Sequence, residues 1–414
     1  MRTRPLVSLL VLTAFVSAPA RALEVVPVYG LTFLGGQYFF AGDKSKLNAN
    51  VTANAAPAVK LGGGRLFLPL YTGSYRGTKS VTDSVGSGSL FAQGMSHRLS
   101  FGYLRPIEGT NWKVKPSVSY KWDYLKETRD ETWGKGLFDT QTVGLGFEAE
   151  NTYKEPFSYR WGYDFFYTRF PNFKSLESKS GTDATGNPLG RETAGVRTLD
   201  TLNQQLSFSV TRPIPYEKPV VALTAGYRLL WQKFHDQPLV NLAGQFVNEN
   251  RQDITNSLSA SVLHPREAFG GKARMGLGFG TSFNYAGSNQ NTYDAGQTHY
   301  TADSYSNWSL TMGPSVNFAW GPKESASNAS AALTWTRQSY FGRQVQDSNG
   351  LYQDDTQNHD RYQFSLGYGM PIAANFRMLA QANFLWVDSN MRYEKTYKYT
   401  YNTANYLLGF SYDY

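Results

Sequence analysis

The chain has no cysteine among its 414 residues. That excludes a disulfide framework and any thiolate metal site. It also lacks an apolar run of about 18 residues, so none of its segments is suited to cross a bilayer as a helix. Histidine is scarce, at five residues, and there is neither an H-E-x-x-H pair nor an Asp-rich calcium loop. Gly62-Gly63-Gly64 follows no phosphate-loop pattern and reads as a tight turn, while Gly35-Gly36 reads as a bend inside a strand. Charged residues make up only 17% and the formal net charge is +8. The basic residues are scattered, which argues against a nucleic-acid partner. The chain is rich in aromatics, with 28 Tyr, 26 Phe and 9 Trp, yet its mean hydropathy is −0.43.

The first residues read as an export signal. Arg2 and Arg4 precede an apolar stretch from Leu6 to Val16, and Ala20-Arg21-Ala22 is an A-x-A cleavage site. Residues 1–22 are therefore expected to be a signal peptide and 23–414 a single barrel domain. Removing Arg2, Arg4 and Arg21 lowers the formal charge from +8 to +5. No cysteine follows the cleavage site, so a lipoprotein is not expected.

Beyond the signal, the pattern is strict alternation over segments of roughly ten residues. Val143, Leu145, Phe147 and Ala149 alternate with Thr142, Gly144, Gly146 and Glu148. Met275, Leu277, Phe279, Phe283 and Tyr285 alternate with Gly276, Gly278, Gly280, Ser282 and Asn284. The second set is small and polar, as the wall of a wet lumen requires. The last strand ends on aromatics at alternate positions, Tyr406, Phe410, Tyr412 and Tyr414. This ending resembles the C-terminal signal of bacterial outer-membrane β-barrels, which the barrel-assembly machinery reads.

The expected fold is all-β, a transmembrane antiparallel β-barrel of about sixteen strands, with fourteen or eighteen as alternatives. Short turns containing Pro or Gly are expected on the periplasmic side, and long polar loops outside. The outer loops are expected near 76–93, 126–137, 170–199, 234–251, 287–303, 342–357 and 389–398. An even strand number places both ends of the barrel in the periplasm, in the outer membrane of a Gram-negative bacterium. Trp112 and Trp320 are expected at the periplasmic interface, and Trp122, Trp231, Trp308 and Trp386 at the outer one, because indole is apolar with a single donor.

On this reading the lumen is lined by Lys113, Lys115, Lys121, Arg160, Arg228, Arg274, Arg361 and Arg377, and by Glu148, Glu150, Asp164 and Asp413. In simple register Lys113 faces Glu150 and Lys115 faces Glu148, and a tight turn at 153–156 sets Arg160 across from Glu148. Such a ladder either orients solutes or braces the wall. The basic excess leans toward anions.

No catalytic, cofactor or metal residues are expected. His235-Asp236 and His359-Asp360 lie at outer strand ends, but a His-Asp dipeptide is common by chance. The outer-membrane proteases resemble this only in using acids and a histidine at the barrel top. The resemblance to porins is one of architecture: the acidic loop motif of the trimeric general porins is not matched. The expected partners are outer-membrane lipids, the barrel-assembly machinery and small hydrophilic solutes. The leading expectation is a passive porin-like channel. A surface, assembly or export barrel comes second, and a loop-borne hydrolase is remote.

Overall fold

A computed structural model describes residues 24–41, 45–77, 93–127, 130–151, 157–174, 195–214, 221–242, 245–293, 299–322, 325–394 and 397–414, and the backbone of 181–182 and 188–189. The expected signal peptide, 1–22, lies outside the described residues. Eighteen strand segments form one antiparallel sheet. Two of its strands are each interrupted once, which leaves sixteen.

Strand β1 comprises Glu24–Val26 and Tyr29–Phe40, and β2 comprises Lys46–Ala55 and Ala58–Gly62. Pro27 and Pro57 sit at the two breaks, where the missing N–H cannot join the ladder. The remaining strands are β3 (Arg65–Arg76), β4 (Gln93–Pro106), β5 (Trp112–Lys126), β6 (Thr140–Asn151), β7 (Ser158–Arg169) and β8 (Thr201–Ile214). They continue as β9 (Val221–Val240), β10 (Phe246–Ala268), β11 (Ala273–Ser288) and β12 (Asn307–Trp320). The last four are β13 (Ser327–Gln346), β14 (Tyr352–Ala373), β15 (Phe376–Ser389) and β16 (Tyr401–Asp413).

Every strand pairs with its sequence neighbours, and β16 pairs with β1 from Gly30↔Asp413 to Phe40↔Thr403. The sheet is therefore closed and has no free edge, which satisfies the backbone without water. Aromatic contacts fasten the seam: Phe33 stacks on Phe410 at 5.8 Å and Phe39 meets Tyr406 edge-on at 6.1 Å.

Cross-strand partners share a face, so the register sorts the side chains. One face carries large exposed apolar groups, among them Leu145, Trp161, Leu258 and Leu408. The other carries Gly, Ser, Asn and Gln, with charges such as Lys115, Glu148 and Arg228. A barrel that is apolar outside and polar inside is inverted relative to a soluble core and belongs in a bilayer.

Two expected loops are corrected. Residues 234–251 and 342–357 are mostly strand, because β9 and β10 run 20 and 23 residues and β13 and β14 run 20 and 22. About ten residues suffice to span, so these two hairpins rise well above the membrane. There the alternation of lipid against water no longer applies, and a polar strand reads as a loop.

Candidate functional site: the inner wall

Charge is concentrated inside β5, β6 and β7. The register places Lys113 opposite Glu150 and Lys115 opposite Glu148. Lys115 Nζ donates to Glu148 Oε1 at 2.7 Å. Arg160 corrects the expectation, since it lies opposite Glu150, and Gly162 takes the place opposite Glu148. The pairing is displaced by two residues from that of a tight turn at 153–156, which keeps every side chain on its face. Arg160 Nη2 reaches Glu150 Oε2 at 3.1 Å, and its Nε lies 3.9 Å from Glu148 Oε1. The arginine thus straddles both glutamates.

Nearby, Lys121 pairs with Asp123 at 2.8 Å. Asp164 accepts from Gln205 Nε2 at 3.4 Å and feels the charge of Arg98. The acids of this sector are therefore engaged by cations or donors.

The opposite sector differs. Arg228 Nη2 meets only Ser257 Oγ, at 3.5 Å, and Arg361 Nη2 meets Gln338 Oε1 at 3.4 Å. Arg377 Nη2 donates to the carbonyl of Ala326 at 2.8 Å. Arg274 lies opposite Glu267 in register. Among the described residues, no carboxylate stands within ion-pair distance of Arg228 or Arg361. A crevice of about 560 Å³ opens near the end of this wall, lined by Arg274, Asn317, Asn328 and Gln381 with Leu263 and Leu379.

The outer end is packed. Arg251 is held by Asp253 at 2.6 Å and lies between the rings of Phe234 (4.4 Å) and Tyr305 (3.8 Å). Residues 289–293 and 299–306 tie the tall hairpins together: Gln290 Oε1 accepts from Val240 N at 3.1 Å, and Arg343 Nε donates to the carbonyl of Ser304 at 3.2 Å. Gln237, Gln290 and Gln357 are fully buried in this cap.

The sequence reading missed Arg98, Asp123, Arg251, Asp253 and Glu267 on the inner face. Arg98 was legible, because it alternates with Leu99, Phe101 and Tyr103. Arg251 was hidden by reading 234–251 as a loop.

The His-Asp dipeptides do not form dyads. Successive strand residues point to opposite faces. His359 lies inside, 3.0 Å from Gln357 Nε2, whereas Asp360 lies outside with Arg337 at 3.5 Å and Trp335 Nε1 at 3.0 Å. His235 is exposed, and Asp236 pairs with Arg197 at 2.8 Å. Among the described residues, no group of three or more His, Asp or Glu gathers to hold a metal.

On the outer face, Trp386 is paired with Tyr362, which is paired with Trp335. Trp122 stacks on His97 at 5.2 Å, and His97 bonds Tyr71 Oη at 2.9 Å. Trp231 Nε1 donates to Gln252 Oε1 at 3.3 Å, and Trp308 stacks on Phe283. Trp112 lies opposite Asn151, and Trp320 meets Tyr368 at 6.1 Å. Tyr406, Tyr412 and Tyr414 of the last strand are exposed outward. A closed wall with these two faces decides the class.

The chain is a bacterial outer-membrane β-barrel. No protein-family model matches it, and no curated protein does either. Among solved structures it is similar to a bacterial polysaccharide outer membrane secretin, with 10% identity, 94% of this chain and 98% of that one covered, and a TM-score of 0.46. It is also similar to OmpT of Vibrio cholerae, with 11% identity, coverage of 96% and 99%, and a TM-score of 0.41. An anion-selective porin from Comamonas acidovorans gives 10% identity, coverage of 94% and 100%, and a TM-score of 0.38.

Proposed function

We propose that this barrel is a passive channel for small hydrophilic solutes, that it prefers anions, and that its residues catalyse no reaction. A closed barrel of sixteen strands encloses enough width for water unless its loops fill it. The preference rests on one observation: among the described residues Arg228 and Arg361 face the lumen with only neutral partners, while Glu148, Glu150 and Asp123 are committed to ion pairs. Cations without counter-charges leave a positive field along the path. Arg377, which donates to the carbonyl of Ala326, adds to it.

The packed outer cap favours a second reading, an export or anchoring barrel that acts through its surface. Liposome swelling separates the two. Vesicles carrying the refolded mature chain should swell in a small neutral sugar and faster in a small organic anion of similar size. Folded barrels that admit neither solute overturn the channel and leave the surface role.

A further inference from the structure

The outer wall carries a trench that the channel reading does not use. Register aligns Ala225, Ala260 and Thr281 in one row across β9, β10 and β11. The row above it is bulky, with Tyr227, Leu258 and Phe283, and so is the row below, with Leu223, Val262 and Phe279. Same-face rows are two residues apart, so the flanking rows stand roughly 13 Å from each other along the strands. A groove of about 380 Å³ runs along the middle row and the row below it, lined by Ala225, Ala260 and Thr281 with Leu223, Val262 and Phe279.

One end of the groove is basic. Arg212 lines it, and its guanidinium sits 5.2 Å from the centre of the Phe157 ring. Arg212 is exposed, two residues from the periplasmic end of β8. Among the described residues no carboxylate pairs with it. A charge on the lipid face is costly at mid-membrane and nearly free at the interface. A lone guanidinium there is well placed to meet a phosphate, which it binds with its planar fork.

We infer that this trench is a built site for one glycerophospholipid of the periplasmic leaflet. Arg212 holds the phosphodiester, and an acyl chain lies over Ala225, Ala260 and Thr281. The site is independent of conduction through the lumen.

The test is native mass spectrometry of the full barrel, taken from vesicles of phosphatidylethanolamine and phosphatidylglycerol into mild detergent. The wild-type barrel should carry one retained phospholipid. Ala260→Leu fills the trench with a side chain the lipid face tolerates and should abolish retention. Arg212→Gln should lower occupancy roughly tenfold, the size of one charge-assisted contact. Ala382→Leu, on the outer face away from the trench, should leave retention unchanged, and each variant is first shown to be a closed barrel by its heat-modifiable migration. Equal retention in all four proteins, or none in the wild type, overturns the site. An oligomeric wild-type mass that becomes monomeric in Ala260→Leu also overturns it, since a second copy then fills the trench.

Discussion

At the scale of residues, what matters is which charges have partners. Exposed ion pairs contribute about 0–1 kcal/mol, so the Lys115–Glu148–Arg160–Glu150 ladder orders the wall more than it stabilises it. Arg228 and Arg361 are different, because among the described residues no carboxylate pairs with them. The double variant Arg228→Glu and Arg361→Glu should retain the fold and shift the reversal potential toward cation preference in a salt gradient. An unchanged potential places the selectivity elsewhere, in the outer loops.

Asp139 supplies a second residue-scale prediction. It lies in the loop after β5, and its carboxylate accepts from Leu125 N at 2.9 Å, Gly136 N at 3.1 Å and Asn172 Nδ2 at 3.1 Å. Burial raises its pKa more than these donors lower it. The folded loop therefore binds a proton more readily than the unfolded chain does. The stability from this group is complete below the ordinary carboxylate range and is lost as pH rises through the raised pKa. Amide protection at Leu125 and Gly136, corrected for intrinsic exchange, should fall across that window. Protection that rises across it contradicts the assignment.

At the scale of elements, alternation made the strands legible. Each of the sixteen carries a lipid face and a wet face, and that contrast survives in sequences as plain as Thr142–Ala149. The contrast vanishes above the membrane, so the upper parts of β9, β10, β13 and β14 read as loops. Arg251 went with them, although it is one of the more firmly held cations in the wall. The close backbone approach at the seam was not legible either. A Cβ on Gly409 would meet the Phe33 carbonyl, whereas one on Gly280 would meet open space. Gly409→Val should therefore reduce the yield of closed, heat-modifiable barrel several-fold, and Gly280→Ala should not. Equal yields contradict the described seam. Tyr406, Phe410, Tyr412 and Tyr414 remain proposed as the segment that the assembly machinery reads.

At the scale of the molecule, closure and inversion of faces follow from the chain's composition. With no membrane helix and no disulfide, a polar sequence rich in aromatics is compatible with spanning a bilayer only as a barrel without edges. The diameter follows from the strand number. The cap is a property of three connections packing together, through contacts such as Val240 with Gln290 and Ser304 with Arg343. No local pattern encodes such contacts, so neither the cap nor its buried glutamines was foreseen. The sequence reading of the lumen charges left out Arg98, Arg251, Asp123, Asp253 and Glu267.

The central claim is that the lumen conducts and favours anions. Single-channel recording of the refolded mature chain in a planar bilayer, under a salt gradient, tests it directly. The account predicts steady conductance with a reversal potential of the sign set by anions. A folded barrel that stays electrically silent, or one whose reversal potential reports cations, contradicts it.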